Sequence, residues 1–198
     1  MLAVDVIAAL GRTIPLAFAS GINLYATVAI MGLCARYELV ALPAQYQAFA
    51  HPLVIGAALA LFAVEFVADK IPWVDSLWDA GHTVVRPLGG ALVAVTALGQ
   101  ATPVLETLVA LLAGSVAMTA HLTKAGTRAV ANTTPEPVSN WALSIAEDAF
   151  AIGFSYIALQ HPYLALALCA VLLIVIAVFA SVLVRAIRRR WWRRPASA

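Results

Sequence analysis

The chain has 198 residues, of which 63% are hydrophobic and 11% charged, against about 25% charged in an ordinary soluble domain. So few ionic side chains cannot cover a water-facing surface of this size, so an ordinary soluble globular domain is excluded and lipid becomes the solvent to reason with. The net charge of +2 is unevenly spread, with six of the twelve basic residues between Arg185 and Arg194, directly after the longest apolar run. That position fits a membrane surface and not a nucleic-acid partner.

Near the start, Asp5 precedes the first basic residue, Arg12, with no small-residue cleavage site before the next apolar stretch. A signal peptide is not expected. The first apolar stretch, residues 13–33, is long enough to cross a bilayer, which takes about 20 residues. Residues 2–10 read as an amphipathic extension of it. Residues 35–50 hold Arg36, Glu38, Pro43 and Gln45 and read as a connector. His51-Pro52 opens a second span over residues 52–69, Pro being favourable in a first helical turn. Residues 70–85 are too polar to cross. Val74, Leu77, Trp78 and Gly81 recur at helical spacing with Asp75 and Asp79 on another face, so an amphipathic helix at the interface is expected, with Trp73 and Trp78 at headgroup level. Arg86-Pro87 opens a third, short span over 86–100. A fourth follows over 104–123, then a polar connector from Lys124 to Pro137, a fifth span over 140–159 and a sixth over 162–184.

The expected fold is therefore all-α: one polytopic membrane bundle of about six transmembrane helices over residues 1–184, with a basic tail over 185–198. With both termini in the cytoplasm, the positive-inside rule is obeyed. Arg12, Lys70, Arg86, Lys124, Arg128 and the C-terminal cluster fall inside, and Arg36 alone outside. The bacterial inner membrane is the expected location. Cys34 and Cys169 lie in apolar segments without CxxC spacing and read as buried, inert thiols.

The halves resemble one another faintly. ASGINLYAT (19–27) lies against AGSVAMTAH (113–121) and RPLGGALVAV (86–95) against HPYLALALCAV (161–171), while the middle span of each half is acidic. A three-plus-three inverted repeat, the plan of many transporters, is one reading. Chance alignment of small apolar residues is the other.

Ionisable groups inside a span cost about 2.5–3.5 kcal/mol each on insertion scales, so each needs a reason. Glu65 and Asp69 are spaced i, i+4 and share one helix face. They suit a cation or proton site, or a carboxylate paired with a basic residue of the cytoplasmic side. Glu147 and Asp148 are adjacent, so they diverge by about 100°. They suit a proton relay or tertiary pairs with Lys124 or Arg128. Asn23 with Ser20-Gly21 interrupts the first span, either as a locally unwound helix lining a site or as a close helix–helix contact. His121, Lys124 and Arg128 share a face and suit an anionic headgroup or phosphate, or an anchor paired with Asp75 and Asp79. His51 and His161 precede prolines at outer boundaries and have no third ligand in register, so a metal stays undetermined. No cofactor is implied, and the hydrolase, zinc-protease, P-loop and dinucleotide motifs are absent.

SGINLYAT (20–27), VEFVADKIPWVDSLWD (64–79), HTVVRPLGGAL (82–92) and KAGTRAVANTTPEPVSN (124–140) resemble the bacterial membrane proteins grouped under domain of unknown function 4126. The likeness extends from about residue 13 to 185 and implies no activity and no catalytic residue. A looser similarity joins residues 65–70, EFVADK, to cation exchangers that set an acidic residue, a gap and Asp-Lys within a span. Here the gap is one residue longer, and Ala68 stands where those have Gly. The leading functional expectation is a small-solute or ion transporter or channel using the intramembrane carboxylates. A lipid-binding or scaffold protein is the alternative, and an intramembrane lipid-headgroup enzyme the third. Expected partners are membrane lipids, a small ion or solute, and a second copy packed through Gly56, Ala60, Gly89 or Gly90.

Overall fold

The computed structural model describes residues 3–133 and 137–192, with side chains for 6–133 and 138–189. Among the described residues every regular element is helical: α1 (Ala3–Ile22), α2 (Leu24–Arg36), a 3-10 turn (Ala44–Ala48), α3 (Pro52–Ala68), α4 (Pro72–Leu98), α5 (Pro103–Ala131), α6 (Pro137–Gln160) and α7 (Pro162–Trp192). Proline opens each of α3 to α7, where its missing N–H is no loss. His51 and Thr102 cap α3 and α5 by accepting from Leu53 N and Leu105 N, both at 3.3 Å. Helices α4 to α7 are long and apolar enough to cross a membrane. Helix α3, with 17 residues, sits at the lower limit of about 17.

Residues 13–33 do not form the single span expected of them. The chain breaks at Asn23, whose backbone is extended at φ −147° and ψ 102°, and α2 doubles back alongside α1. Helix α6 supplies the ruler. Arg12 Nε donates to Leu159 O at 3.3 Å and Phe18 stacks edge-on against Phe154, so α1 runs antiparallel to α6. Asn23 then meets Asp148, Thr27 meets Ser155, and Cys34 and Ala35 share a core with Ala158 and Leu159. Hence α2 runs back toward the end from which α1 came. The apex lies opposite Arg86, Ala117 and Asp148, each near the middle of its helix. The first two helices are thus a re-entrant hairpin reaching the centre of the bundle. With α2 at 13 residues, about 20 Å at 1.5 Å per residue, the return arm is too short for a hydrocarbon core of about 30 Å.

Uniform apolarity in this stretch has a different cause from lipid exposure. Leu16, Ala17, Phe18 and Ala19 are buried because α4, α5, α6 and α7 all pack around α1, and a helix apolar on every side belongs inside. Folding back the first element also removes the counterpart that α5 would need in a three-plus-three repeat. Helix α7 packs parallel to α1, with Pro162 against Gly11 and Cys169 in the cluster of Ile14 and Phe18. The start of α1 and the end of α7 therefore lie at opposite ends of the bundle, contrary to the expectation of both termini on one side. Helix α7 also continues past Val184 through Arg185, Arg188 and Arg189, all exposed. Arg193 and Arg194, and the side chains of Trp191 and Trp192, lie outside the described residues.

Small residues set the closest approaches. A Cβ at Gly21 would overlap the carbonyl oxygen of Ala117 and lie 2.7 Å from Ala120 Cβ. Gly21→Ala should therefore lower stability by about 1–3 kcal/mol through overpacking, read as a drop in the thermal midpoint in detergent. Gly126→Ala, with nothing within 4 Å of the new methyl, is the control. Gly89 and Gly90 face Leu24 and Ala117 inside the chain and so do not offer a face to a second copy. Cys34 and Cys169 are free and buried.

Candidate functional site: a buried ion network under the hairpin

The hairpin fills one half of the bundle only. In the other half, between its apex and the α3–α4 turn, α3 to α6 face one another without it, and ionic side chains fill the space. Helix α3 contributes Glu65, with Asp69 as its C-cap one turn on. Helix α4 contributes Asp75, Asp79, His82 and Arg86, spaced i, i+4, i+7 and i+11 along one face and all buried. Helix α5 contributes His121, Lys124 and Arg128, also buried.

This placement corrects the reading of residues 70–85. They are not an interfacial helix followed by a span from 86 to 100: residues 72–85 are the first half of α4, which continues unbroken through Pro87. The acidic face turns inward because its partners are there. The lipid side keeps Trp73 and Leu77, 69% and 66% exposed. Proline is tolerated at such a position because neighbouring helices support the freed backbone.

The pairs form one network. Arg86 contacts Glu65 directly and reaches Asp79 at 3.4 Å. Lys124 Nζ lies 3.2 Å from Glu65, 3.1 Å from Asp69 and 3.8 Å from Glu147. Arg128 lies 2.9 Å from Asp69, 3.1 Å from Glu147 and 3.6 Å from Asp75. Glu65 and Glu147 thus converge on one ammonium. Asp69 sits in the turn beyond α3, where burial alone would raise its carboxyl. The Lys124 and Arg128 cations instead hold it below the usual carboxylate range.

Asp148 points the other way, as adjacency dictates, and accepts from Asn23 Nδ2 at 2.9 Å. Asn23 Oδ1 meanwhile accepts from Ala26 N at 2.9 Å, capping α2. Of the two readings of Asn23, the broken helix is what the chain adopts. At the end of α1, Gly21 O accepts from Arg86 Nη1 at 3.4 Å, a cation at the negative end of a helix. His121 Nδ1 takes a second Arg86 N–H at 2.9 Å. An arginine has only hydrogens to give, so this nitrogen is unprotonated and His121 is neutral, its Nε2–H facing Thr83 Oγ1 at 3.1 Å. In His82, Nδ1 faces Trp78 O at 2.8 Å and must carry a hydrogen, and Nε2 shares a hydrogen bond with Tyr25 Oη at 3.0 Å.

Charge does not balance. Glu65, Asp69, Asp75, Asp79, Glu147 and Asp148 are six carboxylates, against Arg86, Lys124 and Arg128. Fully ionised, the acids exceed the cations by three. Glu65 Oε2, Asp69 Oδ1, Asp148 Oδ2 and Ser144 Oγ are buried without a hydrogen-bond partner. An unpaired buried charge is costly enough that it recruits a proton or a counter-ion. Among the described residues no group of three or more His, Cys, Asp or Glu is arranged to hold a metal ion.

Helices α5 and α6 are bridged by Lys124 and Arg128 reaching Glu147 and Asn140, and their backbones stay apart elsewhere. A crevice of about 260 Å³ opens between them, with Lys124 and Glu147 at its floor.

Sequence reasoning found Glu65, Asp69, Glu147, Asp148, Asn23, His121, Lys124 and Arg128, and all of these meet at or beside the network. It assigned His121, Lys124 and Arg128 an anion or an anchor pairing, and the geometry pairs Arg128 with Asp75 but gives Asp79 to Arg86. It missed Arg86, His82, Tyr25, Asn132 and Asn140. The spacing of Asp75, Asp79, His82 and Arg86 along one face was the available signal. Asn132 Nδ2 donates to Asp75 at 2.7 Å, and Arg128 donates to Asn140 Oδ1 at 3.2 Å. His51 caps α3, away from the network.

The family described as domain of unknown function, DUF4126, matches residues 10–182. No curated protein and no solved structure matches the chain.

Proposed function

This chain belongs to the DUF4126 family, which is defined without an activity, and we propose from its own residues that it is a proton-coupled membrane transporter or conduit. The observation that carries this reading is the acidic excess buried at mid-bundle beneath the apex of a broken helix. Discontinuous helices whose ends meet polar groups near the midplane are a recurrent way to build ion sites in membranes. The hairpin closes one end, and the network occupies the other. Protons would load onto the uncompensated carboxylates and be handed between Glu147, which shares Lys124 with Glu65, and Asp148, which is tied to the apex through Asn23. In this reading the end bearing Lys70, Arg128 and the Arg185–Arg189 turn faces the cytoplasm of an inner membrane. The start of α1 then lies on the opposite face.

Inward pairing of Lys124 and Arg128 leaves them poorly placed for a lipid headgroup at the membrane surface, which weighs against the scaffold alternative. The test is proton flux into proteoliposomes loaded with a pH-sensitive dye under an imposed potential. The chain is expected to acidify the lumen faster than protein-free vesicles, and Glu147→Gln and Asp148→Asn each to slow this about a hundredfold, the lower end of what a positioned proton-transfer group contributes. A rate equal to that of protein-free vesicles would end the proposal.

A further inference from the structure

The proton-coupled reading leaves the coupled solute unnamed, and the side opening between α5 and α6 bears on its chemistry. We propose that this crevice binds a cationic amphiphile, with its ammonium-type headgroup at Glu147 and its tail in the bilayer. The inference rests on the transport reading and adds to it the class of substrate.

Three observations converge. First, the crevice is lined by Ile22, Leu143, Ala146 and Phe150 above Lys124 and Glu147. Thr123 and Thr127 also line it, but their hydroxyls donate to Thr119 O and Thr123 O of their own helix, so the walls are largely apolar above an ionic floor and suit an amphiphilic ligand. Its volume of about 260 Å³ lies near the lower end of small-molecule sites, about 300 Å³. That accommodates a headgroup, with the remainder outside among the tails. The neighbouring faces are lipid-like too, with Leu122 and Ile145 exposed at 56% and 54%.

Second, the floor presents a carboxylate, not an ammonium. The Glu147 side chain retains 11% exposure, whereas that of Lys124 retains none. Lys124 Nζ is turned inward to Glu65 and Asp69. The surrounding network is acidic by three charges when ionised, so an incoming cation is attracted and an incoming anion repelled.

Third, Phe150 on the wall stacks with Phe154 at a ring separation of 5.2 Å and meets Phe18 edge-on at 6.2 Å. Phe18 and Phe154 are buried behind it, so Phe150, 37% exposed, is the ring that a quaternary ammonium group in the crevice would meet.

The measurement is equilibrium binding of radiolabelled dodecyltrimethylammonium to the full chain in lipid nanodiscs, with empty nanodiscs subtracted for partitioning. Dodecyl sulfate of equal chain length is the competitor. Saturable binding that dodecyl sulfate does not displace is expected. Glu147→Gln should weaken it about tenfold, the worth of one charge-assisted contact. Ala146→Trp, a substitution on an exposed wall position that fills the crevice without touching the network, should abolish it. Absence of saturable binding, or binding indifferent to both substitutions, overturns the proposal. So does tighter binding of dodecyl sulfate, which would make the crevice an anion site on Lys124. Proton flux measured on the same unsubstituted protein separates the two claims. Flux without binding removes the amphiphile and leaves proton coupling standing, whereas binding without flux keeps the site and removes the transport reading.

Discussion

Arg86→Leu is expected to destabilise the bundle by about 3–5 kcal/mol, the cost of removing one partner from a buried ion pair. Arg86 is fully buried and serves four groups at once: Glu65, Asp79, Gly21 O and His121 Nδ1. Its loss leaves Asp79 without its cation, Glu65 with Lys124 alone, and the carbonyl end of α1 without a donor. Much of the effect is the penalty on what remains and not the worth of the contact removed. The double variant Arg86→Leu/Glu65→Gln should therefore recover part of the stability, because the stranded carboxylate becomes a neutral amide. Thermal midpoints in detergent for the wild type, each single variant and the double variant give the cycle. If Arg86→Leu unfolds at the wild-type temperature, the network does not hold the bundle together. If the double variant is no better than the single one, the penalty does not come from Glu65.

That cycle also shows why the site was only half legible in the sequence. Glu65 and Asp69 could be placed on one face from their spacing, and Glu147 and Asp148 on diverging faces from their adjacency, because both statements are local helix geometry. Pairing is not local. Arg86 meets Glu65 across 21 residues and Asn23 meets Asp148 across 125, so no window on the sequence contains both halves of either contact. Polarity alone put residues 70–85 at the membrane interface. Once Asp75 and Asp79 are seen against Arg128 and Arg86, the same charged side chains become reasons for α4 to lie inside. The hairpin was hidden for a complementary reason. Hydropathy registers that residues 13–33 avoid water, and a helix wrapped by four other helices avoids water as thoroughly as one wrapped by lipid. Only Asn23 with Ser20-Gly21 marked the difference, as one of two readings. Family membership over residues 10–182 decides neither point.

The hairpin can be tested by labelling, and the expected outcome is binary. Cys34 and Cys169 are buried and can be replaced by alanine to give a thiol-free background. Single cysteines are then placed at Ile7, 47% exposed, at Glu38 in the connector after α2, and at Thr133 beyond α5, the latter two also exposed. A membrane-impermeant maleimide added to sealed, oriented vesicles should label positions 7 and 38 from one side and position 133 from the other. A single span over residues 13–33 would instead separate 7 from 38. The distinction decides more than a strand count on a topology diagram. If 7 and 38 lie on the same side, Asn23 is a turn held at the bundle centre, and the acids beneath it line a compartment closed at one end by the hairpin. Access to Glu147 must then come from the opposite face or sideways between α5 and α6. If 7 and 38 lie on opposite sides, the closed end disappears, and the ion network becomes an internal strut between crossing helices with no route built around it.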